Sequence, residues 1–188
     1  MPTARRVHYS YDEYLRALEL SEVKLEYCDG VIYAMVGGTP AHAALASAVN
    51  RLLGNALLGS CTTYSSDLRV RIEAAGLTAF PDVTVICGAL QPAPLDKHAA
   101  TNPTILVEVT SRSTEDYDRG DKLSCYKQLA SLKAVLFVSH RLKQVTVIER
   151  SGATWSEREV RGGENVSLLD PKLTLSVDEL YAGVQLEP

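Results

Sequence analysis

The sequence lacks the features that mark membrane, secreted and zinc-binding proteins. Its apolar runs fall short of the ~20 residues that a membrane-spanning helix needs, and no apolar stretch follows Arg5 and Arg6 to form a signal peptide. We therefore expect no membrane association and a cytoplasmic location. Four cysteines without a CxxC pair argue against a zinc knuckle, and we expect them to be reduced and mostly buried. They are Cys28, Cys61, Cys87 and Cys125.

Basic charge is also scarce, with a net charge of −4 and a pI near 5.6. Dedicated nucleic-acid binders usually carry a basic excess, so any contact with nucleic acid must come from a local patch. Basic residues in the second half of the chain are candidates for such a patch, and an ordinary solvated surface is an equally good interpretation. They are Arg112, Arg119, Lys127, Lys133, Arg141 and Lys143.

The length of 188 residues predicts a single domain over residues 1–188, large enough for a sizeable core. A capping box at Ser10 and Glu13 predicts a first helix, and Asp29-Gly30 predicts a type I′ hairpin. An alanine-rich helix is expected over 41–58 after a helix start at Thr39-Pro40, and another from a cap at Ser113-Thr114 to about Leu132. With the predicted strands, this order indicates an α/β or α+β protein with a mixed sheet flanked by helices.

The strands are predicted from alternating or apolar runs. Residues 62–72 alternate in part and predict one strand. Residues 88–103 hold three prolines and predict a long loop. The other predicted strands cover 23–27, 31–36, 82–87, 104–109, 134–139, 144–150, 154–160 and 166–169.

Two of these strands carry an acidic residue in an apolar, β-branched run. Asp82 follows Phe80-Pro81, and Glu108 lies within Ile105 to Val109. Burying an unpaired carboxylate is costly, and a divalent cation with oxygen ligands would offset that cost. We therefore expect both acids at one metal site, although a turn residue at 82 and a paired, buried glutamate at 108 remain open.

Further candidates lie on neighbouring elements. Lys122 follows Asp118 by four residues on the third helix, which by itself suggests a surface ion pair. This helix directly follows the Glu108 strand, so the lysine could reach the same site. Glu26 in the hairpin could equally face solvent, and His42 could be a packing residue of its helix.

These residues together resemble the Uma-two family of restriction-endonuclease-like proteins, within the PD-(D/E)XK nuclease superfamily. The resemblance rests on Pro81-Asp82, the run Glu108 to Thr114, Asp118, Lys122 and Tyr126, with Glu26 and His42 upstream. It covers roughly Tyr9 to Tyr181.

The resemblance implies a restriction-endonuclease-like fold in which Asp82 and Glu108 bind Mg²⁺ or Mn²⁺, with Glu26 as an additional acid. The superfamily lysine is expected two residues after the acid, where this chain has Thr110, so Lys122 would replace it. The predicted function is that of a metal-dependent endonuclease acting on DNA, and a homodimer is expected because cutting both strands usually needs two sites. The alternative is a nuclease-fold protein without significant catalysis that serves as a DNA-binding or protein-interaction module.

Overall fold

The structure is a computed structural model that describes residues 7–35, 37–111 and 114–186. Its helical elements are α1 (Tyr11–Leu20), α2 (Pro40–Ala56), a 3₁₀ turn (Glu73–Ala75), α3 (Glu115–Tyr117), a π-helical turn (Asp118–Lys122), α4 (Leu123–Tyr126) and α5 (Val177–Leu180). Its strands are β1 (Leu25–Cys28), β2 (Val31–Ala34), β3 (Cys61–Ser65), β4 (Arg69–Ile72), β5 (Leu77–Ala79), β6 (Val83–Cys87), β7 (Pro92–Ala93), β8 (Asp96–Ala100), β9 (Ile105–Val109), β10 (Ala134–Val138), β11 (Gln144–Ser151), β12 (Thr154–Arg161), β13 (Asn165–Leu169) and β14 (Lys172–Ser176). The predicted α+β class with mixed sheets and flanking helices is confirmed.

The first large sheet has the strand order β2-β1-β5-β4-β8-β7, with β4 and β8 parallel and the other pairs antiparallel. The β1–β2 hairpin turns at Asp29 and Gly30, whose φ angles are +43° and +82°. Two consecutive positive φ angles are the signature of the predicted type I′ turn. This turn fixes the register that pairs Glu26 with Tyr33.

The second large sheet has the order β12-β11-β10-β9-β6-β3, with β9 and β10 parallel and the other pairs antiparallel. Side chains of β9 alternate between the two faces of this sheet. Ile105 and Val107 pack with α2, whereas Leu106 packs with residues of the first sheet such as Val70. Glu108 has the same parity as Leu106 and therefore faces the first sheet.

The helices begin where the sequence indicates. Ser10 and Glu13 form the predicted capping box, in which the Glu13 N–H donates to the Ser10 hydroxyl and the Ser10 N–H donates to the Glu13 carboxylate. Thr39 caps α2, with Pro40 in its first turn. No helix within residues 7–35, 37–111 and 114–186 is long and apolar enough to cross a membrane.

The prediction of one strand over 62–72 is wrong, because β3 and β4 belong to different sheets. The chain turns between them, where the Leu68 N–H donates to the Ser65 carbonyl and the Ser65 hydroxyl bonds the Asp67 carboxylate. Serine and aspartate favour such turns through these local hydrogen bonds. Apolar residues alternate in part across this turn, so the pattern by itself indicates one continuous strand.

The long loop predicted for 88–103 is also wrong, since it contains β7 and β8. β8 pairs with β4 in parallel, and Arg69 binds Asp96 across this pair with Nε–Oδ2 at 2.6 Å. Sequence alone did not reveal this distant partner. The short strands β5 and β14 were likewise not predicted.

The third helix is shorter than predicted, since α4 ends at Tyr126 and turns follow. The predicted cap at Ser113 lies outside the described residues, as does Val36 of the second predicted strand. Thr114 precedes α3 without a side-chain capping bond.

The expectation of reduced cysteines is wrong for two of the four. Cys61 and Cys87 lie directly opposite each other in the β3–β6 pair and form a disulfide. Cys28 and Cys125 are free thiols. The sequence does not show which residues face each other across a sheet, so spacing alone did not predict this bond.

Candidate active site

Asp82 and Glu108, the two acids in apolar runs, come together where β6 begins and the antiparallel strand β9 ends. Val83 lies opposite Val107 in this antiparallel pair, so Asp82 lies beside Glu108. The Asp82 carboxylate accepts the backbone N–H of Val109 at 2.7 Å. The Asp82 side chain thus adds one hydrogen bond between the segment that precedes β6 and strand β9.

Glu26 reaches the same point from the first sheet. Its carboxylate accepts the N–H of Phe80 at 3.0 Å, and only 8% of the residue is exposed. Phe80 precedes Pro81-Asp82, so this bond links the hairpin to the segment that carries Asp82. Of the two interpretations of Glu26, the solvent-facing one is therefore wrong.

Lys122 lies at the centre of these acids and is 4% exposed. Its Nζ is 3.0 Å from Glu108 Oε1, 3.4 Å from Glu26 Oε1 and 3.4 Å from Asp118 Oδ1. The four-residue spacing to Asp118 does produce an ion pair, but a buried one rather than the surface pair that the spacing alone suggested.

The π-helical turn places Asp118 and Lys122 on the inner side of their segment. The Leu123 N–H donates to the Asp118 carbonyl, five residues back, which widens the turn. Such π-bulges in α-helices are frequent at functional sites.

Tyr126 and His42 contact the acids from two further directions. The buried Tyr126 hydroxyl donates to Glu108 Oε1 at 2.6 Å. His42 Nε2, on the first turns of α2, is 3.2 Å from Asp82 Oδ2. The structure thus brings together all seven candidate residues of the sequence analysis.

Burial and neighbouring charges set the protonation of this cluster. Burial raises the pKa of Glu108 to about 8, and although Lys122 opposes the rise, the carboxylates of Asp118 and Asp82 add to it. Burial alone would lower the pKa of Lys122, but the adjacent carboxylates, Glu108 first, raise it well above its ordinary value. The hydrogen bond to Asp82 raises the pKa of His42 despite burial. The lysine is therefore held in its charged form, while Glu108 takes up a proton readily.

A cavity of about 540 Å³ opens onto the cluster. This volume lies within the range of about 300–1,000 Å³ that is usual for ligand pockets. The acids, Lys122 and His42 line it, whereas Tyr126 lies behind Glu108 and does not. Its walls include Tyr33 and Ala34 of β2, residues 37–39, and Thr110, Ser111, Thr114 and Tyr117.

Comparisons with known proteins identify the family of the chain. The family model of Uma2, described as "Putative restriction endonuclease", matches residues 11–178. The chain belongs to the Uma2 family.

Two relatives come from Synechocystis sp. (strain ATCC 27184 / PCC 6803 / Kazusa). "Uncharacterized protein slr1290" is 32% identical over 188 residues, covering 97% of this chain and 96% of that protein. "Uncharacterized protein sll1609" is 27% identical over 158 residues, covering 83% and 89% respectively.

A solved structure with a similar fold is described as "a putative nuclease belonging to DUF820 from Anabaena variabilis ATCC 29413". It superposes with a TM-score of 0.74 at 17% identity, covering 93% of this chain and 98% of that chain. At this identity the likeness concerns the fold alone.

The position two residues after Glu108 departs from the superfamily pattern, because it holds Thr110 instead of lysine. The Thr110 hydroxyl is 3.0 Å from Nδ1 of the buried His140, which accepts a hydrogen bond at Nε2 from Arg141. Lys122 supplies the only lysine ammonium among the described residues that line the cavity of this Uma2 protein.

The described residues among the six basic candidates for a nucleic-acid patch do not line the cavity. Arg119 pairs with Glu115 at 3.2 Å, and Lys133 pairs with Asp170 at 3.1 Å on an exposed surface. Arg112 lies outside the described residues. Among the described residues, the only basic side chains that line the cavity are Lys122 and His42.

The side chains of the cluster suit a hard divalent cation in charge and in chemistry. Four carboxylates face only two basic side chains, and carboxylate oxygens are the ligands that such cations prefer. In the described ranges, however, no group of three or more Asp, Glu, His or Cys residues is arranged to hold a metal ion. Lys122 lies among three of the four carboxylates, which explains why these residues do not form a ready-made cage.

Sequence reasoning missed Tyr33, Phe80 and Tyr117 as residues of this cavity. Tyr33 could have been found, since the predicted hairpin turn already fixes it opposite Glu26. Tyr117 could not, because its place in the cavity depends on a distant partner, Cys28 of β1, with which its side chain forms a hydrogen bond.

Proposed function

We propose that this protein is a metal-dependent nuclease that hydrolyses phosphodiester bonds of DNA. The observation that carries the proposal is the contact of one buried lysine with the carboxylates of Glu26, Glu108 and Asp118, beside Asp82, at the base of a cavity. The Uma2 family membership and the nuclease-like fold support it. We propose the cytoplasm as its location, where the Cys61–Cys87 disulfide would be an exception to the usual reduced state of cysteines. We propose a homodimer as its assembly.

Asp82 and Glu108 would hold Mg²⁺ or Mn²⁺, with Glu26 as a further ligand or as a general base. Such an ion supplies a nucleophilic water at neutral pH and stabilises negative charge on the phosphate. Lys122 would neutralise part of the charge that develops on the phosphate, because its contacts keep the ammonium protonated and fixed in direction.

The remaining residues of the cluster orient these groups. The Tyr126 hydroxyl holds one oxygen of Glu108, so the other oxygen is presented to the cavity. His42 anchors Asp82 and, when protonated, adds a second positive charge near the phosphate. Asp118 keeps Lys122 in place from within the π-helical turn.

The alternative is a nuclease-fold protein that binds DNA or another protein without cleaving. The observation that favours it is that Lys122 already engages three carboxylates, which leaves no preformed metal cage among the described residues. Metal binding separates the two functions, since a catalytic site must bind the ion.

The test is cleavage of supercoiled plasmid and of single-stranded DNA in MgCl₂ or MnCl₂, together with thermal unfolding in the same buffers. We expect nicking that is lost in Asp82→Asn, and a melting temperature that Mn²⁺ raises in the wild type but not in Asp82→Asn. Glu157→Gln, on the exposed face of β12, is the matched control and should behave as wild type. Unchanged melting at millimolar metal, with no cleavage, would favour the binding module.

A further inference from the structure

An exposed aromatic ring stands next to the buried acids. Tyr33 of β2 lies directly opposite Glu26 of β1, and partners in such a pair share one face of the sheet with their Cβ atoms about 5 Å apart. Tyr33 is 49% exposed, whereas Glu26 is 8% exposed at the base of the cavity. The ring is therefore positioned at the mouth of the cavity that holds the acids.

The surroundings of Tyr33 leave its ring available to a ligand. In the part of the chain that the structure describes, no aromatic or cationic side chain stacks on it. Ala34 and Met35 continue the wall on its side, and Tyr117 of α3 lines the cavity as well. The mouth is thus built of apolar and aromatic groups around a charged base.

The cavity has few cations with which to bind the phosphates of any nucleic acid. Duplexes and single strands alike draw much of their affinity from Lys and Arg side chains that neutralise phosphates. Among the described residues that line the cavity, Lys122 and His42 are the only basic ones, and both are engaged by carboxylates. Affinity must then come largely from contacts with a base.

We infer that the cavity takes an unpaired nucleotide of single-stranded DNA, whose base stacks on Tyr33 while its phosphate lies over Glu26, Glu108 and Lys122. Aromatic stacking is a general means of holding single strands and tolerates any base. A paired base is shielded by its neighbours and must leave the stack before it can make such a contact. The inference rests on the proposed nuclease function and adds its substrate class.

The test measures binding separately from cleavage. Fluorescence anisotropy is recorded with a labelled 12-nucleotide oligo-dT strand and with a 12-base-pair duplex, using Glu108→Gln in MnCl₂, in which Asp82 and Glu26 are still present to hold the ion. We expect the single strand to bind at least about tenfold more tightly than the duplex. Equal or tighter binding of the duplex would overturn the inference, as would no binding of either probe.

Variants of Tyr33 locate the contact. Tyr33→Ala should weaken single-strand binding by about 5- to 150-fold, whereas Tyr33→Phe should retain it because stacking needs only the ring. Tyr9→Ala removes another exposed tyrosine, one that does not line the cavity, and should have no effect. Unchanged binding by Tyr33→Ala would overturn the inference.

The two proposals fail in distinguishable ways. If single-strand binding depends on Tyr33 but the wild type cuts nothing with metal, hydrolysis is refuted and the nucleotide site stands. If the wild type cuts duplex DNA and Tyr33→Ala cuts it equally well, the nuclease stands and the substrate class is refuted.

Discussion

Replacing Lys122 with methionine removes the ammonium group and keeps much of the side-chain volume. The carboxylates of Glu26, Glu108 and Asp118 then lose a partner that lay 3.0–3.4 Å away. Removing one partner of a buried ion pair typically costs about 3–5 kcal/mol. For a chain of 188 residues, 1 kcal/mol shifts the melting temperature by about 2–4 °C, so we expect a loss of roughly 6–20 °C near pH 8.5.

The loss should depend on pH because the abandoned carboxylates can take up protons. The pKa of Glu108 is already raised to about 8, and without Lys122 it must rise further. A carboxyl group whose folded pKa lies above its unfolded value of about 4.5 destabilises the fold increasingly as the pH rises from the unfolded to the folded pKa. The wild type shares this dependence up to about pH 8, so the additional loss in Lys122→Met develops above that pH. The stability deficit of Lys122→Met should therefore be smaller at pH 5.5 than at pH 8.5.

Thermal unfolding followed by circular dichroism at the two pH values measures both effects. Lys133→Met is the matched control, since Lys133 is 42% exposed and pairs with the exposed Asp170. Exposed pairs contribute at most about 1 kcal/mol, so this variant should melt within about 4 °C of wild type. A deficit for Lys122→Met that is equally small, or independent of pH, would refute the reasoning.

Three further outcomes are expected. Tyr126→Phe, which removes the 2.6 Å bond to Glu108, should destabilise the protein by about 1.5–3 kcal/mol in urea unfolding; a neutral effect would show that this bond contributes little. His42→Gln should lose more stability at pH 6 than at pH 9. The pKa of His42 is raised in the folded protein, so the stabilisation by its charged form is complete below the unfolded pKa of about 6.5 and disappears above the folded pKa. An equal loss at both pH values would contradict this. Mn²⁺ should raise the melting temperature more at pH 9 than at pH 6.5, since a proton on Glu108 competes with the ion, and Asp82→Ala should abolish the rise; a rise that persists in Asp82→Ala would exclude Asp82 as a ligand.

The parts of the fold that depend on local sequence could be predicted. The capping box at Ser10, the hairpin turn at Asp29-Gly30 and the helix after Thr39 all follow from nearby side chains that satisfy backbone groups. The acids at 82 and 108 were recognised because a carboxylate in an apolar strand is costly to bury without a partner. The structure places both acids side by side at the paired ends of β6 and β9. Their metal-binding role stays a prediction.

The parts that depend on distant partners could not be predicted. β8 forms because it pairs with β4 and because Arg69 binds Asp96. These partners are distant from each other in the sequence. The facing positions of Cys61 and Cys87 follow from the same kind of long-range register. Lys122 shows the limit clearly, since its spacing from Asp118 fits a surface pair and only tertiary packing buries it.

The most direct test of the account is metal-dependent cleavage of labelled single-stranded DNA under single-turnover conditions, comparing wild type, Glu108→Gln and Glu157→Gln. Each protein is first shown to be folded by its melting curve. The account predicts cleavage in MnCl₂ by the wild type and by Glu157→Gln, and a loss of at least about a hundredfold in Glu108→Gln. Cleavage by Glu108→Gln at the wild-type rate would contradict the assignment of the active site, and a folded wild type that cuts no DNA with Mg²⁺ or Mn²⁺ would contradict the nuclease function.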